Sequence, residues 1–464
     1  MPRISLFLVG TLFGWGITSA EPDAAPARAP SAAAMAAEPQ RSDQPAVRNV
    51  LGLLAAVREV PPVVCGLTAE AASGWGGRMW YDAPSTPLGV ETASRVASFP
   101  RGSLLLSEIT VLIDSLASPN ACVRELAVRL VGRVDAEIVE ERLIQRLTRG
   151  DSTTREAAAL GLGLVQSKAA VEPLLRSARD ADNGVRGNSI WALGRIGDKR
   201  AAATVRTALR DDEDVVRIAA AGALGHLEDA DAVEELLRVL RSDREPRVRR
   251  AAAWALGHIG RREAVDGLAG ALRSEQDEDT REMIVWALGT LDASSAAAAL
   301  AQVLRRDASA KVREAAAWAL GEIEDRDAIA ALGEAAGGDE SAEVRGTAAW
   351  ALGQIQPSEA PPGLIRAVND AREGVRAKAA WAISEIGDAR AIGALREAMR
   401  KEQNKTARRA QLRALIKAGE RSEEFFKELL ESEDASVREA AVRGIAGRGM
   451  NPWPWPQPRP RPFP

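Results

Sequence analysis

Aromatic residues, histidine and cysteine are scarce in this 464-residue chain, which holds one Tyr, six Phe, two His and two Cys. A large globular core normally draws on aromatic and β-branched side chains, whereas the abundant Ala of this chain suits closely packed helices. The charged residues balance to a formal net charge of −4. The composition therefore argues against a dedicated nucleic-acid binder, which needs a strongly basic face.

Motifs that carry chemistry are also missing from the sequence. It contains no HExxH, no P-loop, no GxSxG and no nucleotide-type Gly loop. The two histidines, His226 and His258, lie far along the chain from Cys65 and Cys122, so a thiol nucleophile has no base near it in sequence. Two histidines alone do not make a metal site, which usually needs three or four ligands. We therefore expect no catalytic residue, no metal and no cofactor.

The first twenty residues have the form of a secretion signal. Arg3 precedes a short apolar run at 4–17, and small residues at 18–20 predict cleavage after Ala20. The run is too short to span a bilayer of ~30 Å comfortably, although an uncleaved anchor is the alternative. We expect a periplasmic or secreted protein with no direct membrane insertion after cleavage. In an oxidising compartment Cys65 and Cys122 could form one disulfide or remain unrelated thiols.

Composition divides the rest of the chain into four parts. Residues 21–46 are rich in Ala and Pro and predict a disordered linker. Residues 47–103 begin with a helical pattern over 47–60 and continue irregularly, which is typical of a capping segment at the end of a repeat array. The repeats follow at 104–448, and a Pro-rich extended tail occupies 449–464.

Internal repetition is the strongest signal in the sequence. A twelve-residue phrase such as 312–323, VREAAAWALGEI, recurs eleven times at intervals of 30 to 32 residues. Its second position is Arg in every copy: Arg124, Arg155, Arg186, Arg217, Arg249, Arg281, Arg313, Arg345, Arg376, Arg408 and Arg438. Its tenth position is Gly in the first eight: Gly132, Gly163, Gly194, Gly225, Gly257, Gly289, Gly321 and Gly353. The period predicts an all-α solenoid.

Each copy predicts two helices, A and B. Helix B contains the phrase, and the apolar residues of the phrase lie on one face of the helix. Positions in helix B are numbered from the first residue of the phrase, so that Val312 is the first position and Trp318 the seventh. Three residues before that start, most copies carry a residue suited to cap a helix: Asn120, Asp151, Asp182, Asp277, Ser309, Ser341, Asn404 and Asp434. Gly197, Gly260 and Gly387 are suited to end it.

Helix A is clearest at 230–240. Val233, Leu236, Leu237 and Leu240 form its apolar stripe there, and Asp229 is predicted to be its N-cap.

The phrase VRxxAAWALGxIGD resembles the HEAT-like repeats named after phycobilisome lyases, over roughly residues 104–448. The resemblance implies a right-handed-type α-solenoid of about eleven two-helix repeats. It implies little about lyase activity, because the phrase encodes helix packing and contains no reactive group. The array also resembles those linked to membrane metallopeptidases of the β-lactam-sensor type, which would imply a peptidase partner. The chain lacks the His-Glu dyads of iron-binding HEAT hydroxylases.

The second-position arginines are predicted to stabilise the array. They point at a neighbouring repeat, where a guanidinium can join a carboxylate at acidic cap positions, for example Asp151, Asp182, Glu213, Glu245 and Asp277. Anion binding is the alternative.

Tryptophan forms a row at the seventh position of helix B: Trp191, Trp254, Trp286, Trp318, Trp350 and Trp381. This position lies on the flank that turns towards the concave face, among Ala and Gly neighbours too small to cover an indole. Either each Trp packs edgewise between repeats, or the row is an aromatic strip that a partner can contact. Trp453 and Trp455 in the tail could likewise dock into a partner's groove, or the tail could be a plain spacer.

Together these features predict a non-enzymatic, extracytoplasmic scaffold that binds a protein partner on the concave face of the solenoid. The alternatives are a lyase-like enzyme or a regulatory partner of a membrane metallopeptidase.

Overall fold

The computed structural model describes Leu54 and residues 104–291, 293–433 and 435–445, which belong to one compact unit, Ala46–Pro464. Within these ranges the backbone forms α-helices and short 3-10 turns and no strand. No helix among them has the length and apolar character needed to cross a membrane. The predicted signal segment, linker and tail, and all of the capping segment except Leu54, lie outside the described residues.

Twenty-two α-helices follow one another in these ranges, and they form eleven consecutive A–B pairs. The A helices are α1 Leu106–Ser115, α3 Ala136–Arg149, α5 Val171–Ser177, α7 Ala202–Ala208, α9 Val233–Ser242, α11 Val265–Leu272, α13 Ala297–Arg306, α15 Ile329–Gly338, α17 Pro362–Ala367, α19 Ile392–Lys401 and α21 Glu423–Leu430. The B helices are α2 Ala121–Val131, α4 Ser152–Leu164, α6 Asn183–Ile196, α8 Asp214–Leu227, α10 Pro246–Ile259, α12 Glu278–Thr290, α14 Ala310–Ile323, α16 Ala342–Ile355, α18 Glu373–Ile386, α20 Lys405–Lys417 and α22 Ala435–Ile445. The predicted all-α solenoid is confirmed.

Helix B begins where the sequence predicts. The side chains of Asn120, Asp151, Asp182, Asp277, Ser309, Ser341 and Asn404 all accept hydrogen bonds from first-turn amides. The eighth predicted cap, Asp434, lies outside the described residues. These bonds satisfy amides that have no partner within the helix.

Helix B ends at a left-handed residue in several repeats. Gly197, Gly260 and Gly387 adopt φ values of +74°, +72° and +76° there, as predicted.

Helix A has a buried stripe but not the predicted cap. Leu236 and Leu240 are fully buried or nearly so, at 0% and 1% exposure. Asp229 precedes the helix but makes no capping bond, so that prediction is wrong. Its carboxylate instead accepts a hydrogen bond of 2.7 Å from Nη1 of Arg206 in the preceding repeat. A salt bridge between repeats has replaced the local bond.

The core is continuous along the array, because each helix B packs against its own helix A and against the B helices of both neighbours. Leu320, for example, has no exposed surface. The B helices of adjacent repeats pack against one another more extensively than the A helices do. We call the side of the array on which the B helices lie its inner side, because the more tightly packed layer of a helical solenoid is typically the concave one. Leu54 is helical and belongs to the core.

Candidate partner-binding face

On the inner side of the array, each helix B presents a stripe of residues that are spaced three and four apart in sequence. On α14 the stripe consists of Lys311, Glu314, Trp318 and Glu322, which reach solvent to differing degrees while the intervening residues are mostly buried. Residues at this spacing lie on one side of a helix. We call the surface formed by these positions the inner face. It contains every member of the tryptophan row, at the seventh position.

Each tryptophan in the row packs over a glycine of the preceding repeat. A Cβ atom placed on Gly289, for example, would lie 2.9 Å from Cζ3 of Trp318. The same contact pairs Gly163 with Trp191, Gly225 with Trp254, Gly257 with Trp286, Gly321 with Trp350, and Gly353 with Trp381. A side chain at the tenth position would therefore collide with the indole of the next repeat, and only glycine leaves room for it. We call each such pair a Gly–Trp lock.

Exposure of the indoles varies along the row. Trp191, Trp254 and Trp350 are buried, at 3%, 7% and 1% exposure. Trp286, Trp318 and Trp381 are only partly buried. Every indole thus packs between repeats, and three of them also present surface on the inner face. Trp453 and Trp455 lie outside the described residues.

Eight of the eleven second-position arginines pair with the next repeat in the described part of the chain, but not through the predicted carboxylates. Nε and Nη2 of Arg313 donate to the two carboxylate oxygens of Asp339, at 2.8 and 2.9 Å. Asp339 lies two residues before the capping Ser341 and also accepts its amide hydrogen. The same fork joins Arg155 to Asp180, Arg186 to Asp211, Arg217 to Asp243, Arg249 to Glu275, Arg281 to Asp307, Arg345 to Asp370, and Arg376 to Glu402.

This arginine ladder is structural. Nη1 of Arg313 donates to the backbone carbonyls of Asp307 and Ala308 in its own A–B loop, at 2.9 and 3.2 Å. The fork that an external anion would need is already occupied by a carboxylate. Most of the pair is also shielded, with side-chain exposures of 13% for Arg313 and 9% for Asp339. The geometry therefore favours the stabilising role over anion binding.

The two histidines join the tryptophan row rather than each other. His226 and His258 flank Trp254, with ring-centroid distances of 5.3 and 3.9 Å, and Trp286 follows His258 at 5.2 Å. Burial, with the nearby His258 adding to it, lowers the pKa of His226 to about 4. Burial also lowers the pKa of His258, against its contact with the Trp254 carbonyl. An indole therefore separates the two imidazoles, and no cluster of metal-ligating side chains occurs among the described residues.

Carboxylates one turn before the tryptophans are the feature that the sequence reasoning missed. Glu282 precedes Trp286 and Glu314 precedes Trp318 by four residues, so each acid shares the inner face with an indole. Burial raises the pKa of the Glu282 carboxyl to about 7, with nearby carboxylates adding to the effect. The signal was present in the sequence as a Glu at the third position of the phrase, but nothing in the pattern showed that it would be buried.

A similar pair of acids occupies the third position at the N-terminal end of the array. Glu125 and Glu156 are 1% and 6% exposed. Burial raises the pKa of each to about 7. Close by in sequence, Cys122 is fully buried and forms a disulfide. The chain's other cysteine, Cys65, lies outside the described residues.

The fold and the repeated locks define a HEAT-repeat solenoid, and comparison with known families agrees. A model described as HEAT repeats matches residues 109–181, 140–225, 207–289, 271–345, 296–374 and 337–416, so the matches run without a gap from 109 to 416. These residues make up more than half of the chain, which therefore belongs to the HEAT-repeat family. A search of curated proteins finds no match to this sequence.

Solved structures of nuclear-import proteins share the fold. Importin beta crystallised in ammonium sulfate aligns with a TM-score of 0.55 at 16% identity, covering 86% of this chain and 64% of that one. Kap95p bound to RanGDP aligns with a TM-score of 0.52 at 14% identity, covering 86% and 60%. The Kap95:Nup1 complex gives 0.50 at 14% identity, covering 86% and 61%. This chain spans less than two thirds of the length of those proteins.

Proposed function

We propose that the protein is an exported, non-enzymatic scaffold that binds a protein partner on its inner face. The observation that carries this proposal is the set of half-buried indoles at Trp286, Trp318 and Trp381, which lie at equivalent positions on the inner face. An indole offers a large rigid apolar surface and one N–H donor, which suits it to a protein interface. The structurally similar importin beta proteins were solved with protein partners, RanGDP and Nup1, which supports the same mode of use for this array.

Export is the second part of the proposal, and two observations support it. The first twenty residues have the pattern of a signal peptide. The disulfide at Cys122 suits an oxidising compartment, because cytoplasmic thiols are normally kept reduced. We accordingly assign the protein to the periplasm or the extracellular medium, and its repeats to the phycobilisome-lyase-like branch of the HEAT family. The resemblance of the sequence to repeat arrays linked to membrane metallopeptidases favours a membrane peptidase as the partner.

The test compares a half-buried tryptophan with a buried one. Trp318→Ala should reduce capture of the cross-linked envelope partner while lowering the melting temperature only modestly, because its indole is already partly solvated. Trp350→Ala is the matched control at the same position of the next repeat. It should instead destabilise the fold by ~3–5 kcal/mol, the cost of removing a fully buried Trp.

Capture has to be expressed per folded molecule for each variant. If Trp318→Ala lowers the melting temperature as much as Trp350→Ala and leaves capture per folded molecule unchanged, the row is purely structural and the proposal is wrong. A partner that is recovered chemically altered, with turnover abolished by a single carboxylate substitution, would favour the lyase-like alternative.

A further inference from the structure

Resting on the proposed function, we infer that the inner face of the sixth and seventh repeats, α11–α14, binds an extended partner segment that carries lysine or arginine side chains. The site consists of Glu282 and Trp286 on α12 and of Glu314, Trp318 and Glu322 on α14. Nothing in the phrase that specifies helix packing requires an acid at the third position, since other repeats have Gly187, Ile218 or Ala377 there.

Glu282 is the clearest sign of a missing cation. Its side chain is buried to 8% exposure, yet it forms no hydrogen bond and no ion pair with any residue that the structure describes. Among the charges around it, Lys311 acts most strongly and lowers its pKa, while the three acids Asp279, Glu278 and Glu314 raise it. Lys311 contacts Glu278 instead, at 4.0 Å. A carboxylate with like-charged neighbours and no paired cation is complementary to a positively charged ligand.

Glu314 extends the acidic surface into the seventh repeat. One of its oxygens accepts a hydrogen bond of 3.1 Å from the hydroxyl of Thr347. Burial raises its pKa, Glu343 adds to this, and Lys378 two repeats away opposes it. Arg250 on the other flank donates to Asp279 at 3.1 Å. The local cations therefore lie around the acidic surface, and none of them pairs with Glu282.

The indoles complete the complementarity. Trp286 lies one helical turn beyond Glu282, and Trp318 lies between Glu314 and Glu322 on the same side of α14. An ammonium or guanidinium group placed over an indole face gains about 0.5–1 kcal/mol when exposed and about 2 kcal/mol when desolvated. Carboxylates on either side of the ring would hold that group in place. An uncharged or acidic segment gains none of this attraction.

The spacing of the repeats sets the spacing of the cations. Neighbouring helices pack about 8–10 Å apart, and an extended chain advances about 3.3 Å per residue. A lysine at every third residue of a partner segment therefore meets the Glu–Trp pair of one repeat and then that of the next. The inference is thus specific for the arrangement of the charges as well as for their sign.

The experiment uses the whole protein and three labelled peptides in fluorescence anisotropy. The first carries lysine at every third residue among glycines, the second has the same lysines in one contiguous block, and the third has glutamate in place of lysine. We expect the first to bind most tightly and the third not to bind. The double variant E282Q/E314Q should weaken binding of the first peptide about tenfold, which corresponds to the loss of about 1.4 kcal/mol.

The control variant removes the same charge from the outer layer. E263Q/E334Q neutralises two exposed acids, Glu263 in the 3-10 turn before α11 and Glu334 on α15, and should change the affinity less than twofold. Glutamine has nearly the shape of a protonated glutamate, so both double variants should fold, and circular dichroism melts check this. Equal losses in the two variants, or equal binding of the glutamate peptide, would overturn the inference.

The inference and the proposed function can fail separately. If Trp318→Ala abolishes partner capture while E282Q/E314Q leaves both capture and peptide binding unchanged, the inner face binds a partner that is not cationic, and this inference is wrong. If Trp318→Ala and E282Q/E314Q both leave capture unchanged, the partner does not use this face, and the proposed function falls with it.

Discussion

Replacing Gly321 by alanine tests the Gly–Trp lock. A Cβ atom at that position would lie 2.7 Å from Cζ3 of Trp350 and 2.9 Å from Cβ of Ala351. Trp350 is 1% exposed, so its ring has no free space into which it can move. Overpacking of this kind costs about 1–3 kcal/mol, whereas Gly to Ala within a helix gains about 0.5–1 kcal/mol. We expect the free energy of unfolding to fall by about 1–2 kcal/mol. Circular dichroism should then show a urea transition at a lower urea concentration and with less cooperativity.

Gly393→Ala is the matched control for that change. Gly393 is also helical, in α19, but nothing lies within 4 Å of the Cβ atom it would gain. The substitution should therefore leave stability unchanged or raise it slightly. In a Trp350→Leu background, Gly321→Ala should cost less than it does in the native chain, because the ring that obstructs the new methyl group is gone. If Gly321→Ala stabilises the protein as Gly393→Ala does, the lock does not exist.

Three further predictions concern charge and export. Arg313→Ala leaves the shielded Asp339 without its fork and should cost ~3–5 kcal/mol. Arg200→Ala removes only the exposed contacts of Arg200 with Asp198 and Glu172 and should have a much smaller effect. Equal shifts of the two variants in thermal melts would contradict the structural role of the ladder. Burial raises the folded-state pKa of Glu156 from 4.5 to about 7, so ionisation of this carboxyl lowers the stability of the fold as the pH rises from about 4.5 to 7. Glu156→Gln should therefore stabilise the protein at pH 8, by up to about 3 kcal/mol, and change its stability little at pH 5. A gain in stability that does not depend on pH would refute this. Deleting residues 1–20 should retain the protein in the cytoplasm, and mature envelope protein that still begins at Met1 would identify an anchor instead.

Periodicity predicted most of the fold because each repeat meets only its neighbours. The capping residues and the left-handed glycines act within a few residues of chain, so their types and spacing were sufficient to place both ends of helix B. Asp229 shows the limit of local reasoning. Its position suits a cap, but a distant arginine competes for its carboxylate, and the identity of that arginine depends on how the repeats stack.

The candidate site was predictable only in part, for the same reason. The sequence located the tryptophan row but could not tell which indoles would be covered, since exposure depends on the neighbouring side chains of other repeats. The arginine forks were expected to reach the next repeat, yet their partners lie two residues before the predicted acids. The burial of Glu282 could not be read from sequence at all, because a glutamate on a solvent-facing stripe is normally well hydrated.

The Gly–Trp locks also bear on how such an array can change in length. Each repeat from the fifth to the eighth brings an indole for the repeat before it and a glycine for the repeat after it, so the two ends of the unit match each other. A duplicated unit would join its neighbours through two intact locks, and growth by whole units requires no compensating substitution. Repeats nearer the two ends do not follow this rule, since Leu160, Gly222 and Arg413 occupy the tryptophan position in the second, fourth and tenth repeats. New units can therefore be accepted in the middle of the array, while the terminal units are fixed in place by being different.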